Sequence, residues 1–448
     1  MTRAHAFRRR EFLKGGAAAA VFQILPSGAR LHGAMAKLRT AHVGVGGMGG
    51  GDLGAIASHA QVEVAGLCDI DSSRLASAAE KHPGAKVFRD YREMLASLGD
   101  AIDAVVVSTP DHTHAPAAMS ALNRGKHVYC QKPLTHEVFE ARQLRLVAER
   151  KGVATQMGIQ VHSSSPYRRA VAMIQSGVIG KVSAVHAWSN KNWGYDGGPF
   201  TGSRDVPDAL DWNLWLGTAA ERPYLPNVYH PANWRKLIDF GTGTLGDMGV
   251  HIFDTPYAAL ELTFPKWART ECRTPTGVGH PERNIVTYEF PGTRHTTYSM
   301  LWKWYDGADA PPKGRNAEFG LPDAFDLPGQ GSLFLGEKGS LLLPHVAEAQ
   351  LFPVEKFKDY RRPDVADGDH YHEWVDACLG NGKTSAGFSY AGPLTEALLL
   401  GVVANRFPGK TLNWDAPRLQ VANLPDANGL LQRDYRKGFE VDGLGRTI

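Results

Sequence analysis

The first largely apolar run of the chain's patterned region, residues 38–45, is interrupted by His42. A short apolar run of this length bounded by turn residues reads as a buried strand. The glycine-rich stretch "GVGGMGG" (44–50) overlaps its end, and a helical segment follows. Further strand-like runs recur at 62–67, 103–110, 127–131 and 153–158, with helices predicted over 115–124 and 135–150. Strands alternating with helices in this way predict a parallel sheet covered on both faces. From about residue 159 the pattern changes. A helix is predicted over 164–176, stopped by Gly177, and an alternating strand over 181–190. Residues 192–244 have no clean period and are rich in Trp, Tyr, Pro and Gly, as in long ordered loops that line sites. The segment 245–262 predicts a helix opened by glycines. Residues 284–290 and 295–307 predict adjacent antiparallel strands. The Pro- and Gly-rich stretch 306–327 predicts a loop over a pocket mouth or at a subunit contact. A last helix falls within 367–382, capped by Asp369.

The spacing Gly44-x-Gly46-x-x-Gly49 between a strand and a helix gives the pattern a chemical meaning. Gly44 makes a tight turn, Gly46 lets backbone amides approach a pyrophosphate, and Gly49 lets helix and strand pack closely. The helix N-terminus adds partial positive charge toward phosphates. The next strand ends in Asp69, twenty residues beyond Gly49, where an acid grips ribose hydroxyls. That acid favours NAD, while Ser72, Ser73 and Arg74 leave NADP open. Candidate cofactor contacts are therefore Gly44, Gly46, Gly47, Met48, Gly49 and Asp69. Thr109, Pro110, His114, Gln131 and Lys132, which gather at the strand ends, join them.

With 448 residues, the chain suits two domains, here 37–158 and 159–448, preceded by a leader over 1–36. The formal charge is +3; residues 1–36 contribute +5 of it, which leaves −2 for the rest. Such a body has no electrostatic footprint for nucleic acid or an anionic membrane. The leader has a basic cluster, a short alanine-rich apolar stretch and "AMA" at 34–36, the layout of a signal peptide cut after Ala36. Its Arg9-Arg10-Glu11-Phe12-Leu13-Lys14 resembles the twin-arginine signal, with Arg8 where that pattern has Ser or Thr. That route carries folded proteins to the periplasm, and its apolar core is too short for a stable membrane anchor. Four cysteines show no metal-like spacing. His112 and His114 have no companion ligands, so no metal is expected and both histidines read as locally hydrogen-bonded.

"VSTPDHTHAP", "GKHVYCQKPLTH" and "GDMGVHIFD" together resemble the glucose–fructose oxidoreductase, inositol dehydrogenase and rhizopine-catabolism (Gfo/Idh/MocA) family, and the similarity runs over nearly the whole chain beyond the leader. The resemblance implies a Rossmann-fold domain followed by an α/β domain with a large, open, mainly antiparallel sheet. It also implies a nicotinamide cofactor, a sugar, cyclitol or related substrate, and a homo-oligomer. By motif, Lys132 matches the lysine of the family's Glu-Lys-Pro, and Asp247 and His251 match its Asp-x-x-x-His. Gln131 departs from the usual Glu.

Oxidising a secondary alcohol requires a group that shuttles a proton near neutral pH. His251 is expected to accept the proton and Lys132 to polarise or relay, or the two to exchange these roles, and Asp247, four residues before His251, to orient the imidazole from the same helix face. Trp193, Tyr195 and Arg235 are candidate substrate contacts, aromatic faces suiting sugar C–H surfaces. Two activities fit: an exported NAD(P)-dependent oxidoreductase acting on a sugar hydroxyl, or a glycosidase that oxidises, eliminates, adds water and returns the hydride. Outside the cytoplasm either needs a cofactor that stays bound. A binding protein without turnover is disfavoured by the Lys132, Asp247 and His251 set.

Overall fold

A computed structural model describes residues 37–445, and the leader lies outside the described residues. Six parallel strands form the first sheet: β1 (Leu38–Val43), β2 (Val62–Cys68), β3 (Lys86–Phe88), β4 (Ala104–Val107), β5 (His127–Gln131) and β6 (Thr155–Gly158), in the order β3-β2-β1-β4-β5-β6. Every residue of β4 is buried, as expected of a parallel strand covered on both faces. The order reverses direction at β1, so the crevice beyond the ends of β1 and β4 is the switch point where ligands of such sheets bind.

A nine-stranded sheet follows, built from β7 (Val182–Ser189), β8 (Trp267–Cys272), β9 (Asn284–Pro291), β10 (Thr296–Asp306), β11 (Gln330–Gly336), β12 (Gly339–Pro344), β13 (Gln350–Phe352), β14 (Thr411–Asp415) and β15 (Gln420–Val421). Its order is β13-β12-β11-β7-β10-β9-β8-β14-β15, antiparallel except for the β10–β7 pair. In β9 buried and half-buried positions alternate, and Val286, Tyr288 and Phe290 enter the core. Phe253, from the helix Val250–Ala259, stacks on Trp302 of β10 with ring centroids 3.8 Å apart. The opposite sheet face carries Trp188, Tyr305, Leu333 and Leu342, and Phe319 and Leu321 pack onto it. The stretch 306–327 is therefore a cover for that face, drawn there by its own apolar residues, and it contributes nothing to the lining of the main cleft.

Residues 192–244 are more ordered than their pattern suggests. They contain the helix Trp212–Leu216, whose N-cap Asp211 accepts from the Leu214 amide, and a 3₁₀ turn at Asn233–Lys236. Part of this stretch reaches back to the first sheet. Ser72 donates to Ala209 O and Asp211 to Ile70 O, at 2.9 and 3.0 Å. Arg89 Nη2 donates to both of those carbonyls, at 2.7 and 3.0 Å. The turn after β2 is thus clasped by the chain beyond β7.

The helix Met48–Ala57 tests the glycine reading directly. At Gly49 a Cβ would sit 2.1 Å from the Gly44 carbonyl oxygen, whereas at Gly54 it would meet nothing within 4 Å. Gly49→Ala is expected to cost about 1–3 kcal/mol as overpacking against backbone. Gly54→Ala should gain up to about 1 kcal/mol from helix propensity. Denaturant midpoints of the two variants check both signs.

Candidate active site

One cleft, enclosing about 390 Å³, runs past the ends of β1, β2, β4 and β5. Gly44, Gly46, Gly47, Met48, Asp69, Thr109, Pro110, Gln131 and Lys132 all line it. Gly44 has φ +82°, a conformation few residues other than glycine adopt, and a Cβ there would lie 2.5 Å from Ser108 O. Gly47 has φ +54° and open space where a Cβ would be, so the loop presents bare backbone to the cleft. That is a fit for a pyrophosphate. Gly49 serves through the helix–strand contact described above and lies outside the lining. Asp69 binds the turn together: Oδ2 accepts from the Val45 amide and Oδ1 from the Asp71 amide, at 2.9 and 3.0 Å. Burial raises its carboxyl above the ordinary value.

His114 stands behind this lining. Nδ1 lies 2.8 Å from Pro133 O and Nε2 2.8 Å from Thr109 O, so the buried ring braces the two segments that carry Lys132 and Thr109. His112 is buried, its Nε2 3.0 Å from Trp215 O, and among the described residues no group of His, Cys, Asp and Glu is arranged to hold a metal.

Lys132 follows the last residue of β5, lines the cleft and meets Asp247. Nζ donates to Asp247 Oδ1 at 2.8 Å and to the Asp247 carbonyl at 2.9 Å. Arg235 Nε donates to the same Oδ1 at 3.1 Å. Burial alone would raise the Asp247 carboxyl, but Lys132 and Arg235 outweigh it and hold it well below the usual range. This carboxylate therefore contributes stability that is present above its unfolded value and lost as pH falls through its folded one. Asp247→Asn is expected to flatten the acid limb of the stability–pH curve, measured by urea denaturation between pH 3 and pH 7.

The expected Asp247–His251 contact is absent. Residues Leu245–Gly249 form a wide π turn before the helix Val250–Ala259 begins, so four-residue spacing does not stack the two side chains as in an α-helix. Two cations also hold the carboxylate elsewhere. His251 Nδ1 is buried with no hydrogen-bond partner, and the ring lies 5.7 Å from that of His345. Burial, then Lys132 and His345, push the His251 imidazole well below its ordinary value, so it is neutral.

Arg235 lines the cleft, its guanidinium 4.3 Å from the Trp234 ring and 5.5 Å from the Trp193 ring. Trp193 therefore reaches the site through Arg235 and lies outside the cleft lining. Tyr195 stacks on Phe200 and donates to Gly198 O, away from the cleft, because its apolar neighbours form a separate core. His370 is buried against Ser163 and the Met157 carbonyl, and His372 bonds Ser58 at the surface. Neither faces the site.

Sequence patterning missed a buried carboxylate. Asp52 accepts from Ser108 Oγ at 2.7 Å, from Gln131 Nε2 at 3.0 and 3.1 Å, and from the Tyr371 hydroxyl at 3.0 Å. Gln131 Oε1 in turn accepts from the Lys132 amide at 3.2 Å. The signal was available: Gly49, Asp52, Leu53 and Ile56 share the buried stripe of their helix, where a charge demands partners.

Two family models match this chain. Residues 38–159 match the oxidoreductase family's NAD-binding Rossmann fold, and residues 166–261 match its C-terminal alpha/beta domain. The chain belongs to the Gfo/Idh/MocA oxidoreductase family. Its first domain is that family's NAD-binding fold, which the glycine cradle fits. Glucose-6-phosphate 3-dehydrogenase of Bacillus subtilis (strain 168) is 25% identical over 222 residues, 50% of this chain and 53% of that protein. Inositol 2-dehydrogenase of Salmonella typhimurium (strain LT2) is 29% identical over 152 residues, 33% of this chain and 45% of that one. The chain spans about half the length of the curated relatives it matches. Among solved structures, the WlbA dehydrogenase of Bordetella pertussis, in complex with NADH and UDP-GlcNAcA, superposes with a TM-score of 0.59 at 18% identity, covering 85% of this chain and 99% of that one. An inositol dehydrogenase homolog from Azotobacter vinelandii, complexed with NADH and myo-inositol, gives 0.56 at 17% identity over 85% and 98%. At such identities these likenesses establish the fold.

Proposed function

We propose that this protein is an exported oxidoreductase that moves hydride between a tightly held NAD and a carbon bearing a hydroxyl on a sugar, glycoside or cyclitol. One observation carries the reading: Lys132, anchored by Asp247, lines the same cleft as the glycine cradle. Bound there, the nicotinamide accepts the hydride. The chain's own residues handle the proton. Asp247 anchors Lys132, whose Nζ donates to the substrate oxygen and stabilises negative charge developing on it. His251, neutral and with an unpartnered Nδ1, takes the hydroxyl proton directly or through Lys132. Asp247 positions Lys132 and Arg235.

The clasp between Ala209–Asp211 and the turn after β2 supports a cofactor that stays in place. Retention matches the twin-arginine-like leader, since a protein exported folded carries its dinucleotide with it to the periplasm. Mass spectrometry of small molecules released by denaturing the purified protein is expected to yield about one NAD(H) per chain. Absorbance at 340 nm then follows its reduction by a panel of sugars and cyclitols. A cleft that retains no dinucleotide, and binds none added, overturns the proposal.

The same enclosure suits the hydride-returning glycosidase, which needs no second substrate. Reaction in heavy water separates the two: glycoside cleavage with deuterium at a ring carbon identifies the glycosidase, and net reduction of the nicotinamide the dehydrogenase.

A neutral His251 has a kinetic consequence. The rate–pH profile is expected to lack the inflection of an ordinary imidazole near pH 6.5. His251→Asn should lower turnover about 10²-fold without changing the profile's shape below pH 7.

A further inference from the structure

We propose that the substrate is an anionic sugar, and that its carboxylate or phosphate is gripped by Arg235. The inference rests on the oxidoreductase reading above and narrows its substrate class.

The charges around one carboxylate are unequal. Lys132 and Arg235 both donate to Asp247 Oδ1, so a single negative group faces two cations. The His251 and His345 rings lie 5.7 Å apart. Those two rings are themselves neutral, His345 being lowered to about 4 by burial and then Lys191. Another nearby acid, Asp111, is buried and accepts from Thr242 Oγ1 at 2.7 Å, and burial raises its carboxyl toward the uncharged form. Two cations thus share the one buried carboxylate of Asp247.

Arg235 is also shaped for the task. Its Nε is spent on Asp247, and Nη1 makes only a long contact to Ala232 O at 3.5 Å. Nη2 has no hydrogen-bond partner among the described residues. The side chain is 26% exposed and lines the cleft. The indoles of Trp234 and Trp193 fix the guanidinium, so little rotamer freedom is lost when an anion binds. A neutral sugar would leave that edge facing only hydroxyl groups. A carboxylate or phosphate supplies charge-assisted hydrogen bonds of the strong kind.

The test compares matched sugars on the holoprotein: glucose, glucuronate and glucose 6-phosphate, then the inositol and galactose counterparts. Binding is measured by calorimetry and turnover by nicotinamide absorbance at 50 and 300 mM salt. Anionic members are expected to bind at least 10-fold tighter than their neutral parents, and to lose much of that advantage at high salt. Whether uronates or phosphates lead identifies the anion. Arg235→Met should weaken the anionic ligand about 10- to 100-fold more than it weakens the neutral parent. Arg235→Lys, which keeps the charge and loses the fork, should recover part of the loss. Equal binding of neutral and anionic sugars, or an Arg235 variant that weakens NADH and not the sugar, overturns the inference and leaves the oxidoreductase reading standing. Salt-dependent binding of anionic sugars without any nicotinamide reduction supports the inference and counts against the oxidoreductase instead.

Discussion

Lys132→Met is expected to lower turnover by about 10³-fold or more while the protein keeps its dinucleotide. The magnitude follows from what one side chain does. It supplies a proton donor at the substrate oxygen, a group whose loss typically costs 10²–10⁴-fold, together with the charge that opposes Asp247. Retention follows from position, since the glycine loop and the clasp at Ala209–Asp211 are untouched by a change at the end of β5. Methionine matches the lysine stem in length, so the cleft wall keeps its packing. The substitution also leaves Asp247 with Arg235 as its remaining cation, which weakens the force holding its carboxyl low and moves the acid limb of stability to higher pH. Three measurements separate catalysis from damage: dinucleotide released on denaturation, single-turnover reduction at 340 nm, and the urea midpoint at pH 4 and pH 7. Lys132→Arg should keep the acid limb and still lose most of the rate, because the guanidinium cannot relay a proton. Turnover within tenfold of the parent for Lys132→Met would remove this lysine from the chemistry.

The parts of this site that chain order makes local could be read from sequence. The glycine turn was legible because its demands are steric and fall within six residues, from Gly44 to Gly49. The strands were legible because burial on both faces leaves unbroken apolar runs, as in β4, while burial on one face leaves alternation, as in β9. Residues 245–262 fooled the helical period. Gly246 packs so closely on Thr242 that a Cβ there would lie 1.8 Å from Oγ1, and the turn around it widens into a π turn. Apolar spacing alone carries no trace of that. Nor does it reveal that Asp247 would be claimed by Lys132, 115 residues earlier, rather than by His251, its neighbour in sequence. Tyr195 and Arg235 show the same limit: both looked able to touch a sugar, and only the packing of 192–244 turned one into a core and the other into the cleft.

Exchanging the acid and the amide beneath Lys132 should produce the largest coupled effect on stability. The resemblance to the family sets a Glu where this chain has Gln131, and the structure places a carboxylate, Asp52, within hydrogen-bond distance of that same side chain. Gln131→Glu would put two buried carboxyls about 3 Å apart and replace the donating Nε2 with an acceptor. There is little room to turn away, since Gly158 packs so tightly that a Cβ on it would lie 2.7 Å from Gln131 Cδ. One of the two acids must then hold a proton, at an expected cost of about 3 kcal/mol at pH 7. The sign with pH is fixed. An acid whose folded pKa is raised contributes stability below its unfolded value and loses it as pH rises through the folded one, so the deficit should shrink toward pH 4 and grow toward pH 8. Burial already raises the Asp52 carboxyl, against the hydrogen bonds from Ser108, Gln131 and Tyr371, so the parent should show a weaker trend of the same sign. The double variant Asp52→Asn, Gln131→Glu returns one carboxylate and one amide to the pair with their positions exchanged. It is expected to recover about 2 kcal/mol relative to Gln131→Glu alone, a coupling readily resolved by a double-mutant cycle in urea. Additive effects of the two substitutions would mean that Asp52 and Gln131 do not share a charge, and that the strand end carrying Lys132 is held by packing alone.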